Sequence, residues 1–321
     1  MSDDVQAEQD GRATTRRNVL ECMLWAGTGV LWTIAGGVPR SLCIESAQAA
    51  AAAATSSLSF LQVSDSHIGF AKGANPDVTA TLRVAVERIN QMPVRPAFVL
   101  HTGDVTHLSK PDQFDRAAQV LSGIKTDRIH YVPGEHDVLE DDGRSFLDRL
   151  GQGTRGQGWY SFDQSGVHFV GLVNVVDLKA GGLGNLGDAQ LEWLKRDLAP
   201  LSASTPIVVF AHIPLWSVYP EWGWGTSDAT QALGHLRRFG SVTVLNGHIH
   251  QVMQKVEGQV AFHTAMSTAF PQPKPGTAAG PGPLKVPAEQ LRRLLGTADV
   301  SFVAGTDRLA IVDQPLDRPL A

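Results

Sequence analysis

Five short apolar runs punctuate the middle of the chain, at residues 58–63, 96–100, 128–132, 206–211 and 242–245. They are rich in Val, Ile and Phe and too short for buried helices, so they predict strands covered on both faces. Between them lie segments of helical period. Residues 77–91 place Val78, Leu82, Val86 and Ile89 on one face, and 111–124 do the same with Phe114, Ala118, Leu121 and Ile124; 188–198 and 227–239 complete the set. Strands alternating with helices predict a layered α/β fold. Two stretches depart from that rhythm. Tyr160 to Asp163 and Val167 to Val170 flank Gln164-Ser165-Gly166 as an antiparallel hairpin would, and a second hairpin is predicted around Glu257-Gly258.

After Ala269 the chain turns to Pro271-Gln272-Pro273-Lys274-Pro275-Gly276 and then Gly280-Pro281-Gly282-Pro283, a composition that excludes regular structure. Beyond it, 288–295 predicts a helix, and 301–303 with 309–312 predict a last strand pair. Residues 270–321 thus read as a Pro/Gly-rich loop and a C-terminal extension packed on the core. The other end differs again. Thr15-Arg16-Arg17-Asn18-Val19-Leu20 precedes an apolar run from about Cys22 to Ile34, too short to span a bilayer comfortably, and Ser46-Ala47-Gln48-Ala49 offers a small-x-small cut site. The segment resembles a twin-arginine export signal. We expect a signal peptide over 1–49, a spacer over 50–57, and passage through the twin-arginine export machinery to the periplasm or beyond, with membrane tethering if the signal is not cleaved.

Composition narrows this further. With 321 residues and 43% hydrophobic content, the chain can bury a large core. A formal charge of −5, spread along the chain, offers no basic track, which argues against nucleic acid as the main partner. Both cysteines, Cys22 and Cys43, precede the expected cut, so a mature chain would hold no thiol.

The chemistry sits where the apolar runs stop. Each ends in potential metal ligands: Asp65-Ser66-His67, Gly103-Asp104, Gly134-Glu135-His136-Asp137, His212 and Gly247-His248-Ile249-His250. Open α/β sheets place their sites at the carboxyl ends of parallel strands. The glycines at 103, 134 and 247 are expected to let the chain turn sharply toward a shared centre. A mixed Asp, Glu and His set without thiolates suits Zn, Mn or Fe. Eight groups are too many for one ion, whereas a pair of ions about 4 Å apart, bridged by one carboxylate, would use them all.

In this order the motifs resemble the calcineurin-like metallophosphoesterase superfamily, whose pattern runs Asp-x-His, Gly-Asp, Gly-Asn-His-Asp/Glu, a lone His, then Gly-His-x-His. The resemblance covers residues 58–269. It implies a layered α-β-β-α sandwich with mixed sheets and hydrolysis of a small phosphoester, mono- or diester, by a metal-activated hydroxide. Carried over residue by residue, it implies that Asp65, His67 and His250 hold one metal, that His212 and His248 hold the other, and that Asp104 bridges both. His136 would assist the leaving group, with Asp137 orienting its imidazole.

Glu135 departs from the pattern, standing where the family usually has an asparagine ligand. As a ligand it would hold the metal more tightly and weaken it as an electrophile; swung away toward an arginine, it would leave the second site weak, and the chain could be a catalytically impaired metal- or ligand-binding module. His107 could reach a substrate phosphate or lie behind the ligands, and His101 reads as a residue of the core or of the ligands' surroundings. The aromatic stretch after His212, with Trp216, Tyr219, Trp222 and Trp224, could meet substrate through Trp216 or be a packed surface loop.

Overall fold

The computed structural model describes residues 30–35, 38–43, 58–176, 178, 182–303 and 308–318. The twin-arginine pair, the cut site at 46–49 and the spacer at 50–57 lie outside the described residues. Val30–Ala35 (β1) and Val38–Cys43 (β2) form an antiparallel ribbon of their own, Val30 opposite Cys43. Among the described residues no helix is long and apolar enough to cross a membrane.

From Leu58 the expected alternation holds. One sheet takes β3 (Leu58–Val63), β4 (Val99–His101) and β5 (Ile129–Tyr131) in parallel. The other takes β7 (Val167–Gly171), β8 (Ile207–Phe210), β9 (Val242–Asn246) and β11 (Val260–Thr264) in parallel, flanked by antiparallel β6 (Tyr160–Gln164) and β10 (Gln254–Glu257). The helices are α1 (Val78–Gln91), α2 (Pro111–Leu121), α3 (Arg144–Leu150), α4 (Asp188–Leu198), α5 (Ala229–Leu236) and α6 (Ala288–Leu294). The terminal strands β12 (Gly296–Val303) and β13 (Arg308–Pro315) run longer than their apolar cores suggest, and β12 pairs antiparallel with β3, extending the first sheet.

The apolar runs are continuous because both faces of each strand are covered. Along β3, Leu58 and Phe60 enter the core between the sheets, while Leu61 and Val63 face the cluster that holds Val78, Leu82 and Val86 of α1 and Ala117 and Val120 of α2. Along β8, Val208 and Phe210 point between the sheets, and Ile207 and Val209 meet Leu191, Leu194 and Leu198 of α4 and Ala232 and Leu236 of α5. The result is a helix–sheet–sheet–helix sandwich of two mixed sheets. Between the sheets Phe60 stacks on Phe98 at 5.0 Å and meets Phe169 edge-on at 5.3 Å; burying each such ring contributes roughly 1.5–3 kcal/mol.

Local signals set the element ends. Asp77 caps α1 by accepting from the Ala80 amide at 2.9 Å, and Pro111 opens α2. The helix expected over 111–124 stops at Leu121, and its buried face runs through Phe114, Ala117 and Val120, leaving Ala118 exposed. The α5 helix is also shorter than 227–239, spanning Ala229–Leu236, and the Asp228 carboxylate accepts from the Leu186 and Gly187 amides rather than capping it. The β6–β7 turn uses Ser165 (φ 52°) and Gly166 (φ 80°), the left-handed pair that matches strand twist.

Candidate metal centre

The carboxyl ends of β3, β4, β5, β8 and β9 deliver their loops to one place. Among the described residues eight non-glycine residues have left-handed backbone, and five of them are Asp65 (φ 53°), His67 (φ 42°), Asp104 (φ 52°), His248 (φ 70°) and His250 (φ 53°). Such a conformation costs about 1–3 kcal/mol per residue and persists where the surroundings impose it. Here it folds the loops after β3, β4 and β9 back on themselves directly after their strands, whereas the loops carrying Glu135 and His212 turn without it.

Of the three glycines expected to turn, only Gly103 has positive φ. The other two are needed for close approach. A Cβ on Gly134 would stand 2.0 Å from Asp104 Oδ1, and one on Gly247 would stand 2.1 Å from Ser64 Oγ and 2.6 Å from Asp65 Oδ2. Loops from different strands meet there backbone to side chain.

The side chains form two triads, Asp65 with His67 and His250, and Glu135 with His212 and His248, with ligand atoms in each lying within 4.8 Å of one another. Asp104 lies between them: its Oδ2 is 3.4 Å from Nε2 of His67 and 3.4 Å from Nε2 of His212. His250 Nε2 stands 3.2 Å from Asp65 Oδ1 and 3.2 Å from His67 Nε2. These separations match the edge, about 3.4 Å, of a tetrahedron of ligands about 2.1 Å from a common ion.

Hydrogen bonds aim the ligands. Asp104 Oδ1 accepts from the His136 amide at 2.9 Å, leaving Oδ2 to the cluster. Asp65 Oδ2 accepts from the Ser64 hydroxyl, the His248 amide is shared between Oδ1 at 3.1 Å and Oδ2 at 3.2 Å, and Oδ1 lies 3.2 Å from His250 Nε2 and 3.9 Å from His212 Nε2. His212 donates Nδ1–H to the Thr102 carbonyl at 2.7 Å, and His250 donates Nδ1–H to the Phe270 carbonyl at 2.6 Å, so both turn Nε2 inward. Metal-binding histidines commonly spend their second nitrogen this way.

Glu135 points inward, not toward an arginine. Its Oε2 is 2.8 Å from His212 Nε2 and its Oε1 is 3.0 Å from His248 Nδ1. Yet Glu135 Oε2, His212 Nε2 and His248 Nδ1 are all buried without a partner of hydrogen-bond geometry. Close contact without a bridging proton is what lone pairs converging on a cation would show, and an uncompensated buried charge would be costly. The donor set therefore fits metal ions.

The charge on the carboxylates fits the same reading. Burial works against ionising Asp65 and Glu135, but His250 beside the first, and His248 and His212 beside the second, hold both carboxyls below their usual range. Burial also opposes charge on His212, but Asp104 and Glu135 raise its pKa well above the ordinary imidazole value. Burial, then His136, His250 and His107, keep His67 neutral.

A calcineurin-like phosphoesterase family model matches residues 58–252, a span that includes every residue of both triads. The chain belongs to the calcineurin-like phosphoesterase family. It is accordingly a metal-dependent phosphoester hydrolase. A probable cyclic nucleotide phosphodiesterase of Rhodopseudomonas palustris is 26% identical over 222 residues, 64% of this chain and 76% of that protein. The glycerophosphodiester phosphodiesterase GpdQ of Enterobacter lignolyticus is 25% identical over 210 residues, 61% of this chain and 71% of its own. A dimetal phosphatase from Danio rerio shares the fold with a TM-score of 0.61 at 16% identity, covering 81% of this chain and 96% of that one. A purple acid phosphatase from yellow lupin seeds does so with a TM-score of 0.59 at 13% identity, covering 84% and 53%.

Around this family centre some residues take roles that differ from the sequence expectation. Asp137 does not orient His136. Its carboxylate accepts from the Val105, Thr106 and Gly134 amides and the Thr106 hydroxyl at 2.8–3.0 Å, tying the Gly-Asp loop to the Gly-Glu-His-Asp loop; burial and Asp104 push it up to about 6 against those donors. The His136 ring is held instead by the His107 carbonyl, which accepts from Nδ1 at 2.7 Å. His107 stacks on His136 at 4.8 Å and stands beside His67. Trp216 packs on Phe262 of β11 at 5.1 Å, against the helix-covered face of the second sheet, so its ring is not among the converging side chains. The other aromatics of that loop, Trp222 and Trp224 with Tyr219, enclose Ile249, the residue between the two ligand histidines.

Sequence reading passed over a buried relay behind Asp65. Gln62 donates to Thr102 Oγ1 at 3.0 Å, Thr102 donates to Ser64 Oγ at 2.7 Å, and Ser64 donates to Asp65. Ser267 donates to the Asp65 carbonyl at 2.8 Å, and His101 pairs with Ser66 at 2.9 Å. The available signal was a polar residue inside an apolar run, as Gln62 is.

Proposed function

We propose that this chain hydrolyses small phosphoesters, diesters ahead of monoesters, at a dinuclear centre. Asp65, His67 and His250 would hold one ion, Glu135, His212 and His248 the other, and Asp104 both. The observation that carries this reading is the equal 3.4 Å separation of Asp104 Oδ2 from His67 and His212. Two ions of the Zn, Mn or Fe type bound there would supply Lewis acidity toward the phosphoryl oxygens and acidify water toward neutrality.

The chain's own part is aim and proton supply. The His136 amide prevents the Asp104 carboxylate from rotating. The His136 imidazole, fixed through Nδ1 to the His107 carbonyl, has Nε2 left to protonate a departing alkoxide. Burial opposes its charge, but Asp104 and Glu135 raise its pKa, which favours a proton held ready. Preference for diesters is drawn from the names of the relatives in Rhodopseudomonas and Enterobacter. The twin-arginine-like segment leads us to propose that the reaction occurs after export, through the twin-arginine machinery.

The test is to strip the purified chain with chelator, restore Zn, Mn or Fe separately, and measure metal per chain. Turnover of bis(para-nitrophenyl) phosphate, para-nitrophenyl phosphate, cyclic nucleotides and glycerophosphodiesters is then compared. Close to two ions and faster diester turnover are expected. Fewer than one ion with no hydrolysis of any substrate would overturn the reading.

A further inference from the structure

We infer that His107 is a positioning residue that fixes the proton on His67 and thereby decides which nitrogen His67 turns to its ion. The inference rests on the reading of Asp65, His67 and His250 as ligands of one ion. His67 directs Nε2 inward, 3.2 Å from His250 Nε2 and 3.4 Å from Asp104 Oδ2. A neutral imidazole that ligates through Nε2 carries its proton on Nδ1, and in a site this buried that proton needs an acceptor. His212 and His250 have main-chain carbonyls for the purpose, those of Thr102 and Phe270. Among the described residues no carbonyl does this for His67: the polar atom that meets its Nδ1 is Nδ1 of His107, at 3.4 Å. His107 must therefore accept on Nδ1 and carry its own proton on Nε2.

The acceptor is held rigidly. Its ring stacks on His136 at 17° between planes and meets Phe70 edge-on at 5.1 Å, while its amide donates to the Ile68 carbonyl at 3.0 Å. Its carbonyl accepts from His136 Nδ1. One residue thus sets the proton position on both neighbours, on His67 through its ring and on His136 through its backbone. Only the first depends on the side chain, and substitution can isolate it. The 3.4 Å separation is long for a hydrogen bond, which makes this the weakest anchored of the three histidines.

The experiment compares His107→Phe, which keeps a ring to stack and removes the acceptor, with His107→Asn, which returns an oxygen near the place of Nδ1. Both are made in the full chain and titrated with zinc, and imidazole protonation is read by proton–nitrogen NMR. The Phe variant is expected to bind one of its ions 10–100-fold more weakly, at about the magnitude that loss of an outer partner costs, and to recover turnover as zinc is raised. The Asn variant is expected to restore most of that affinity. In the zinc-loaded wild type the proton should sit on Nδ1 of His67 and be absent from Nδ1 of His107. A proton on His107 Nδ1, equal losses in the two variants, or undiminished affinity in the Phe variant would overturn the assignment. A wild type that binds no zinc would sink the underlying reading of the centre and this assignment with it.

Discussion

Asp104 offers Oδ2 to His212 Nε2 at 3.4 Å, with its other oxygen tied to the His136 amide. The carboxylate cannot swivel, so its charge is delivered in one direction. Asp104→Asn keeps the size and an acceptor for that amide while removing the charge. We expect it to lose at least about 100-fold in kcat/KM together with bound metal, since even partners behind the ligands are worth 10–100-fold. Elemental analysis alongside rates checks this; unchanged metal content and rate would exclude Asp104 from the centre.

His136 should matter in proportion to the leaving group's need of a proton. His136→Ala is expected to slow hydrolysis of alkyl diesters by about 10²–10⁴-fold, and that of a para-nitrophenyl diester far less, because nitrophenolate departs without protonation. Metal content should not change. Equal losses on both substrates would end the proton-donor role.

Glu135 lies with one oxygen by His212 and the other by His248, where the family usually has an asparagine. Glu135→Asn removes a negative charge from that triad. Affinity for one ion is expected to fall by about tenfold, and turnover at saturating metal to rise, because a less neutralised cation is a better electrophile. Weaker binding without faster turnover would refute the electrophile argument.

Away from the centre, His168 donates Nδ1–H to Asp163 at 2.8 Å and Nε2–H to Asp197 at 2.9 Å, which only the imidazolium can do. Burial lowers its pKa, but the bonds to Asp197 and Asp163 outweigh that and raise it. A folded pKa above the unfolded value of about 6.5 means that the stabilisation is complete below that pH and is lost as pH rises through the folded value. His168→Gln should therefore cost about 1–2 kcal/mol near pH 6, a discount on a charged hydrogen bond because Asp163 is exposed, and little at about pH 10. Urea unfolding of both proteins at the two pH values measures the difference; a gap that widens with pH would contradict it.

Strand positions were legible in the chain because β3, β8 and β9 are covered on both faces, which leaves largely apolar runs, and because the turn at Ser165-Gly166 marked the β6–β7 hairpin. Helix limits were less so. Periodicity continues through Ile124, which stays buried with the α2 cluster although the helix has ended at Leu121. For the centre, the aspartates and histidines at strand ends could be picked out, since parallel strands within one sheet bring their carboxyl ends to one edge whatever the loops do; that the edges of the two sheets meet was decided by how the sheets pack.

What the sequence by itself determined, then, was the donor inventory and its place at the carboxyl ends of strands, both consequences of residue type and strand direction. Only the tertiary structure decided how those donors are aimed: Glu135 inward, Asp137 onto backbone amides, His136 on the His107 carbonyl, and Trp216 on Phe262 away from the cluster. It also showed that Gly134 and Gly247 are small because Asp104 and Ser64 press against them. The physical reason is the same in each case. A side chain's direction depends on which polar and apolar partners reach it from segments far away in the chain, and no local pattern of residues records those partners.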